Sequence, residues 1–563
     1  MTSRPLFAAA VVLLTAAALC FRLPDLGNRP FHGDEAVHAV KFREIWEHGY
    51  YAYDPNEFHG PTIYYAALPI VALSGHHRFA DTTESDYRLA VALIGAAMIP
   101  LLLLLRRFLG TQAVLWAGLF TAISPAMVFY SRYFIQEMAL VCFTLAFLGC
   151  AWSYRRSRRI GWAAGAGIAA GLMIASKETA VISFAAAGAA WLMTARKLPA
   201  TVERGVAERG NELTSLVGVA ERGNELTSLV GPRPIVLPDE MPMTGGAAPR
   251  RRRWEPLFVG TGVALVVAYL FLSGFLTHPA GPLGYFHTYT PWLRRAGSTE
   301  LHRFPWYHYL GLYFWHHPAG SPVWSEALIL VLAVVGGVAA FLRNRTGEDD
   351  DPTFVRFLAV YTLLLTFIYS AIPYKTPWSG LSFLHGMILL AGFGATSIVR
   401  SLRPVPLKAV ARLAILAASV QLAWQAYRAS FVMYVDQKNP YVYAQPVPEV
   451  VEIGKMAEDL AKASPQGKKM VIKVIWNDPY YWPIPWYLRR FDNVGYWTAV
   501  PPDPAAPLVL CSPELDEPLT KKLDPTHIMT GFKGLRPGVP VETFVDMKLW
   551  ERYLKTRPKP PPE

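Results

Sequence analysis

LFAAAVVLLTAAALCFRLPDLGNRPFHGDEAVHAVKF, residues 6–42, changes character twice. From Leu6 to Phe21 it carries no charge, which is the composition that enters the hydrocarbon core of a bilayer. A short turn with Pro24, Gly27 and Pro30 follows, and then two adjacent carboxylates, Asp34 and Glu35. An apolar span that hands over directly to paired acids sets the theme of the chain: a greasy anchor, with chemistry-bearing residues just beyond its end.

The rest of the sequence repeats the anchor. Of 563 residues, 52% are hydrophobic and only 17% charged, where a soluble protein carries about a quarter. Eleven apolar segments qualify as spans: 6–22, 86–105, 111–130, 137–154, 159–175, 178–194, 257–276, 323–343, 354–372, 380–399 and 405–425. The first resembles a signal peptide with small residues at Ala16–Ala18, but the charge alternation below requires that it be kept. Arg106-Arg107, Arg155-Arg156, Arg158-Arg159, Arg196-Lys197, Arg250–Arg253, Arg343, Arg345, Arg400, Arg403 and Lys408 all fall in alternate loops. Lys and Arg concentrate on the cytoplasmic side, so the N-terminus is expected inside and the C-terminus outside the cytoplasmic membrane. The net charge of +12 is thereby read as topology and not as nucleic-acid binding. The four cysteines (Cys20, Cys142, Cys150, Cys511) have no paired spacing and read as small core residues.

Residues 1–425 thus read as a polytopic all-α membrane domain. Within it, 195–256 is a long cytoplasmic linker, expected to be disordered. It contains a perfect duplication, VAERGNELTSLVG at Val206–Gly218 and again at Val219–Gly231; two short copies do not make a solenoid. Pro61–Leu73 is apolar but too short to span, and reads as an interfacial or re-entrant helix on the outer surface. Residues 426–563 read as a small α/β domain outside the membrane. It has an amphipathic helix over Glu449–Ala463 and strands over Met470–Trp476 and Pro507–Cys511.

The outer loops hold the unusual residues. A carboxylate such as Asp34, partly shielded from water near the bilayer, makes a good general base. The ordinary alternative is that Asp34 and Glu35 favour a helix N-terminus through its dipole. Asp34-Glu35-Ala36-Val37-His38 also resembles a zinc-protease HExxH with Asp for the first His, but one ligand is of the wrong type and no third is evident. Arg132 and Lys177 are outer-face cations that break the positive-inside bias. Lys375 lies in PYKTPW between two prolines, where an ammonium could face an anion or simply snorkel to the interface. The stretch TYTPWLRRAGSTELHRFPWYHYLGLYFWHHP, Thr288–Pro318, is dense in aromatic rings (Trp292, Trp306, Tyr307) and cations (Arg294, Arg295, Arg303); an aromatic belt is the plainer reading, and the resemblance named next implies that these cations could guide a phosphate and these rings stack on a sugar.

Taken in order, the Asp-Glu pair, HGPTIYYAALP (His59–Pro69), YSRYFIQEMAL (Tyr130–Leu140), SKETA (Ser176–Ala180), PYKTPW (Pro373–Trp378), NPYVYAQ (Asn439–Gln445), YYWPIPWYLR (Tyr480–Arg489) and GLRPGV (Gly534–Val539) resemble the C-type membrane glycosyltransferases. That superfamily includes the protein O-mannosyltransferases and the lipid A aminoarabinose transferases. More narrowly, the set resembles a prokaryotic family labelled as associated with flipping of lipid-linked sugars in archaeal-type N-glycosylation. The resemblance covers nearly the whole chain except the duplicated linker. It implies a transferase that moves a sugar from a polyprenyl-phosphate carrier to a lipid, glycan or protein acceptor on the extracytoplasmic face. In that reading Asp34 is the catalytic base and Glu35 its support. Lys375, Arg132, Lys177, His59, Arg303 and Trp306 meet the donor, and Trp482, Trp486, Tyr487 and Arg489 meet an acceptor glycan. Glu137 matches the place of a second acid that could share Mg2+ or Mn2+ with Asp34, although carriers of this kind often need no metal. Two rivals stand beside it: a flippase for lipid-linked sugars, against which the clean spans with acids only at their ends argue, and a non-catalytic scaffold that binds a partner enzyme.

Overall fold

A computed structural model describes residues 4–56, 59–195, 254–297, 302–342, 350–478 and 480–557. The duplicated segments and most of the expected linker lie outside the described residues, as do Arg196, Lys197, Arg250–Arg253, Arg343, Arg345 and the side chain of Arg295.

Among the described residues, seven helices are long and apolar enough to cross a membrane, and five shorter apolar helices accompany them. The expected spans match helices, with local differences. The expected 111–130 span is broken: Thr111–Ile123 stops and a second helix, Pro125–Tyr130, starts at once. Pro125 has no N–H to continue the ladder, and Ser124 caps the new helix by accepting from the Met127 N–H. The carbonyls released at Thr121 and Ala122 are taken by the buried Arg22 guanidinium at 2.8 and 3.0 Å. The last long apolar helix runs from Val405 through Tyr427 and on to Val432, past the expected boundary at 425/426.

Leu381–Ser401 is the central helix, buried over most of its length. It packs on Ala327–Leu342 and Thr111–Ile123. Gly394 makes the close approach possible: a Cβ there would sit 2.0 Å from the Leu332 carbonyl oxygen. Backbone-to-backbone contact through small residues is how helices associate in lipid, where apolar burial gives no drive of its own. Thr62–Ser74 has only 13 residues, contains Pro69 and ends at Gly75 with φ of 79°. At about 1.5 Å per residue it reaches about 20 Å, short of the roughly 30 Å hydrocarbon core.

The C-terminal region carries one five-stranded sheet, in the order β2-β1-β3-β5-β4. Its strands are β1 Ile472–Ile475, β2 Val494–Trp497, β3 Leu508–Cys511, β4 His527–Arg536 and β5 Val539–Asp546. β1 pairs parallel with β2 and β3, and β5 pairs antiparallel with β3 and β4. Helix Val450–Ala463 and strands β1 and β3 agree with the sequence reading. β2, β4 and β5 escape it: β4 is broken by two register shifts at Met529/Gly531 and Gly534/Arg536, which erase its alternation.

The sheet region docks on the helices through the residues expected to touch a glycan. Trp486 packs on Phe31 with centroids 4.6 Å apart and donates to Glu84 at 2.8 Å. The Tyr487 hydroxyl accepts from the Phe31 N–H at 3.0 Å. Arg489 lies 3.7 Å over Trp486 and donates to the Thr82 carbonyl. These three therefore hold the two parts together; of the four expected residues, only Trp482 faces open space.

The loops at the Asp34 end of the helices converge on a buried ion pair. Arg88, in the first turns of the Glu84–Leu101 helix, uses all five of its N–H donors. Nε and Nη2 go to the two Glu35 oxygens at 2.7 Å each, Nη1 to the Leu26 and Arg29 carbonyls and Nη2 also to that of Pro30. Glu35 accepts in addition from the Phe134 and His32 N–H groups at 2.9 and 3.0 Å. Removing one partner of such a pair strands a buried charge, at a cost of about 3 kcal/mol or more. We expect Glu35→Gln to lower the unfolding midpoint of detergent-solubilised protein sharply, by tryptophan fluorescence. An unchanged midpoint would show that the pair does not organise these loops.

Candidate active site

Helix Gly33–His48 presents the acidic pair, and its N-terminus separates the two roles. His32 is the N-cap: its Nδ1 accepts the Asp34 N–H at 3.1 Å, and Glu35 closes a capping box. Glu35 is thus consumed by capping and by Arg88, and is fully buried. Asp34, one position earlier, projects outward with its side chain 53% exposed and Oδ2 3.8 Å from His32 Nδ1. Of the two carboxylates, Glu35 faces the protein and Asp34 faces a cavity.

That cavity, of roughly 350 Å³, is lined among others by Asp34, His38, His59, Gln136, Glu137 and Lys177. His59 reaches it because the loop before Thr62–Ser74 presses onto the 175–176 turn. The Gly60 N–H donates to the Ser176 carbonyl at 3.1 Å, and a Cβ at Gly60 would lie 1.9 Å from the Ala175 oxygen, so no larger residue fits. His59 Nδ1 is 2.6 Å from a Glu178 oxygen, and Tyr53 donates to the other oxygen at 2.9 Å. Lys177 forms an ion pair with Glu137.

The electrostatics follow from burial and partners. Burial raises the Glu178 carboxyl, but His59 outweighs it and the net direction is down. Burial lowers the Lys177 ammonium, but Glu137 outweighs it and the net direction is up, so Lys177 stays a cation at neutral pH. His38, bonded to the Tyr64 hydroxyl at 2.8 Å, is driven by burial down to about 3 and is neutral.

Lys375 is not in this cavity. Tyr374 and Thr376 line it, and Lys375, between them in an extended segment, turns the opposite way. Its ammonium donates to the Ile372 and Phe304 carbonyls and borders a neighbouring cavity with Arg303 and Trp306. Burial lowers its pKa. Arg132 is elsewhere again: it donates to the carbonyls of Arg22, Pro24 and Asp25, ties the end of the first helix to the 131–136 turn, and lies 4.3 Å over Phe431. Of the expected donor residues, then, His59 and Lys177 share the Asp34 cavity, Lys375, Arg303 and Trp306 share the adjoining one, and Arg132 is a backbone clamp.

The metal expectation was tested on the donor set. Asp34 and Glu137 line one cavity, but an ammonium already occupies Glu137, and among the described residues no three His, Cys, Asp or Glu side chains group as ligands. These residues do not fit a divalent cation, and no step is routed through one. Gln136, Thr376, Trp378 and Tyr443 also line the open space around Asp34 and were not singled out in the sequence. Neutral residues carry no charge-pattern signal; only their place inside the motifs 130–140, 373–378 and 439–445 points to them.

The comparisons with known proteins bear on this architecture. Residues 59–204, about a quarter of the chain, match the family profile described as dolichyl-phosphate-mannose-protein mannosyltransferase. No curated protein matches the sequence. Among solved structures, ArnT from Cupriavidus metallidurans bound to undecaprenyl phosphate superposes with a TM-score of 0.60 at 16% identity, over 96% of this chain and 98% of that one. The Archaeoglobus fulgidus oligosaccharyltransferase in its apo form superposes with a TM-score of 0.51 at 13% identity, over 87% of this chain and 64% of that one. The chain has the fold of the C-type membrane glycosyltransferases.

Glu35 also makes acid stability readable. Burial raises its carboxyl, but Arg88 and Arg29 outweigh burial and hold it at about 2, below the ordinary 4.5. A depressed folded-state pKa contributes stability that is complete above pH 4.5 and is lost as pH falls toward 2. In an acid titration of the unfolding midpoint, Glu35→Gln is expected to flatten the curve in that window. A curve parallel to wild type would contradict the assignment.

Proposed function

We propose that the protein transfers a glycosyl group from a polyprenyl-phosphate-linked donor to an acceptor hydroxyl at the outer face of the cytoplasmic membrane. The observation that carries this is the exposed Asp34 carboxylate, backed by a buried ion pair, in one cavity with the Lys177 ammonium and the Glu178-held His59. Its position beside the ends of apolar helices supports a lipid-borne donor.

The chemistry is a single displacement. Asp34 accepts the proton of the acceptor hydroxyl as its oxygen attacks the anomeric carbon. The carbon–oxygen bond to the phosphate breaks, its electron pair stays on the phosphate oxygen, and the anomeric centre inverts. Lys177 and His59 face the charge that develops there. Lys375 and Arg303, in the adjoining cavity, are suited to hold the carrier's phosphate as it approaches. Glu35 positions Asp34 and touches no reactant. The bound ArnT structure has undecaprenyl phosphate in a protein of this fold, which supports a polyprenyl phosphate carrier here.

Asp34→Asn is expected to lower transfer by at least about a hundredfold with an unchanged unfolding midpoint, measured with radiolabelled polyprenyl-phosphate hexose in proteoliposomes. Full transfer by that variant would reject the assignment. The orientation is tested separately. In a Cys20→Ser background, a membrane-impermeant maleimide added to intact cells should label His48→Cys and Lys438→Cys but not Arg403→Cys. Labelling of Arg403→Cys alone would invert the topology.

A further inference from the structure

The space around Asp34 has a second lobe that the transfer reaction as proposed does not assign. It holds roughly 300 Å³ and shares Asp34, Val37, Tyr374, Thr376, Trp378 and Trp482 with the first. It extends away from Lys177 and His59, toward Tyr480 and Arg536 of the sheet region. Resting on the transferase reading above, we propose that this lobe binds the acceptor and that the acceptor is a carbohydrate, seated as a pyranose ring between Trp482 and the Trp378–Tyr443 wall with one hydroxyl on Asp34.

Three observations support this independently of one another. The walls are built of rings: seven of the thirteen lining residues carry one. Within them His32 stands 5.5 Å from Trp378, Trp378 5.8 Å from Tyr443, and Tyr443 5.3 Å from His302. Flat, electron-rich faces suit the C–H faces of a sugar, and a few fixed polar groups among them select orientation. Next, His32 Nε2 is buried and has no hydrogen-bond partner among the described residues, although Nδ1 of the same ring caps the Asp34 helix. A buried ring nitrogen without a partner is costly, and this one belongs to a side chain that lines the lobe beside the base. Finally, two non-glycine residues with left-handed backbones, His302 with φ of 60° and Ala444 with φ of 48°, both line this lobe. Strain of that kind gathers where a binding surface is held in shape.

The lobe is less suited to a peptide. An extended peptide is recognised mainly through main-chain hydrogen bonds to an exposed strand edge, whereas no residue of the five strands except Arg536 lines this lobe. Arg536 is tied to the wall by donating to the Tyr480 carbonyl at 2.6 Å, and its charge gives the lobe a cation opposite Asp34.

The test uses the full chain in lipid nanodiscs and saturation-transfer NMR. The probes are methyl α-glucopyranoside, mannopyranoside and galactopyranoside, a Ser/Thr-containing hexapeptide, and undecaprenyl phosphate. At least one pyranoside should receive saturation at its ring C–H protons. Trp482→Ala and, separately, the half-exposed Tyr480→Ala should weaken it about tenfold, and Tyr480→Ala, outside the first lobe, should leave binding of undecaprenyl phosphate unchanged. Saturation of the peptide instead, of no pyranoside, or of a pyranoside equally in both variants would overturn the acceptor assignment. Loss of undecaprenyl phosphate binding by the wild-type protein would reject the donor reading instead, so the two failures are told apart.

Discussion

The Glu35–Arg88 pair is the constraint on which the outer half of the molecule depends. Each ion is fully occupied: five donors on the guanidinium are spent on the carboxylate and three backbone carbonyls, and the carboxylate also takes two backbone N–H groups. A charge pair this deeply buried is tolerable only when its remaining hydrogen bonds are made. Meeting that condition joins the 26–35 loop, the Glu84–Leu101 helix and the turn before Glu137. Asp34 is the immediate neighbour of this lock, so its carboxylate is held in place by atoms it does not touch.

A similar logic recurs around the site. Glu326 is buried at the break between Thr111–Ile123 and Pro125–Tyr130, where it accepts from Ser124 at 2.5 Å, from the Ala126 N–H at 3.0 Å and from Tyr441 at 2.9 Å. Tyr441 in turn accepts from Tyr130, and Gln445 bridges Tyr133 to Pro30. The NPYVYAQ segment is therefore a strap between the last long helix and the first outer loop. It carries Tyr443 and Ala444 to the edge of the Asp34 space. Buried polar groups cost free energy unless paired, so each of these networks allows few arrangements, and the reactive side chains inherit that rigidity.

The cations are distributed with comparable economy. Lys177 and His59 are each paired with a carboxylate, Glu137 and Glu178, so they bring polarity to the cavity without a large uncompensated charge. Lys375 has only carbonyl partners and is the more exposed electrostatically to an arriving anion.

The sequence by itself determined the membrane class and the placement of most helices, and it pointed to Asp34 as the candidate base. Apolar run length and the clustering of Lys and Arg are properties of local composition, and lipid enforces them wherever the chain folds. It could not separate Asp34 from Glu35, because the two differ only in which way one helical turn faces, and Arg88, fifty-three residues away, decides that. Nor could it tell that Lys375 would turn away from Tyr374 and Thr376, that Arg132 would be consumed by the carbonyls of Arg22, Pro24 and Asp25, or that Trp486 and Tyr487 would become a joint and leave Trp482 at the cavity. Each of those outcomes depends on which distant groups compete for a side chain's hydrogen bonds and contact surface, and that competition exists only once the tertiary structure has formed.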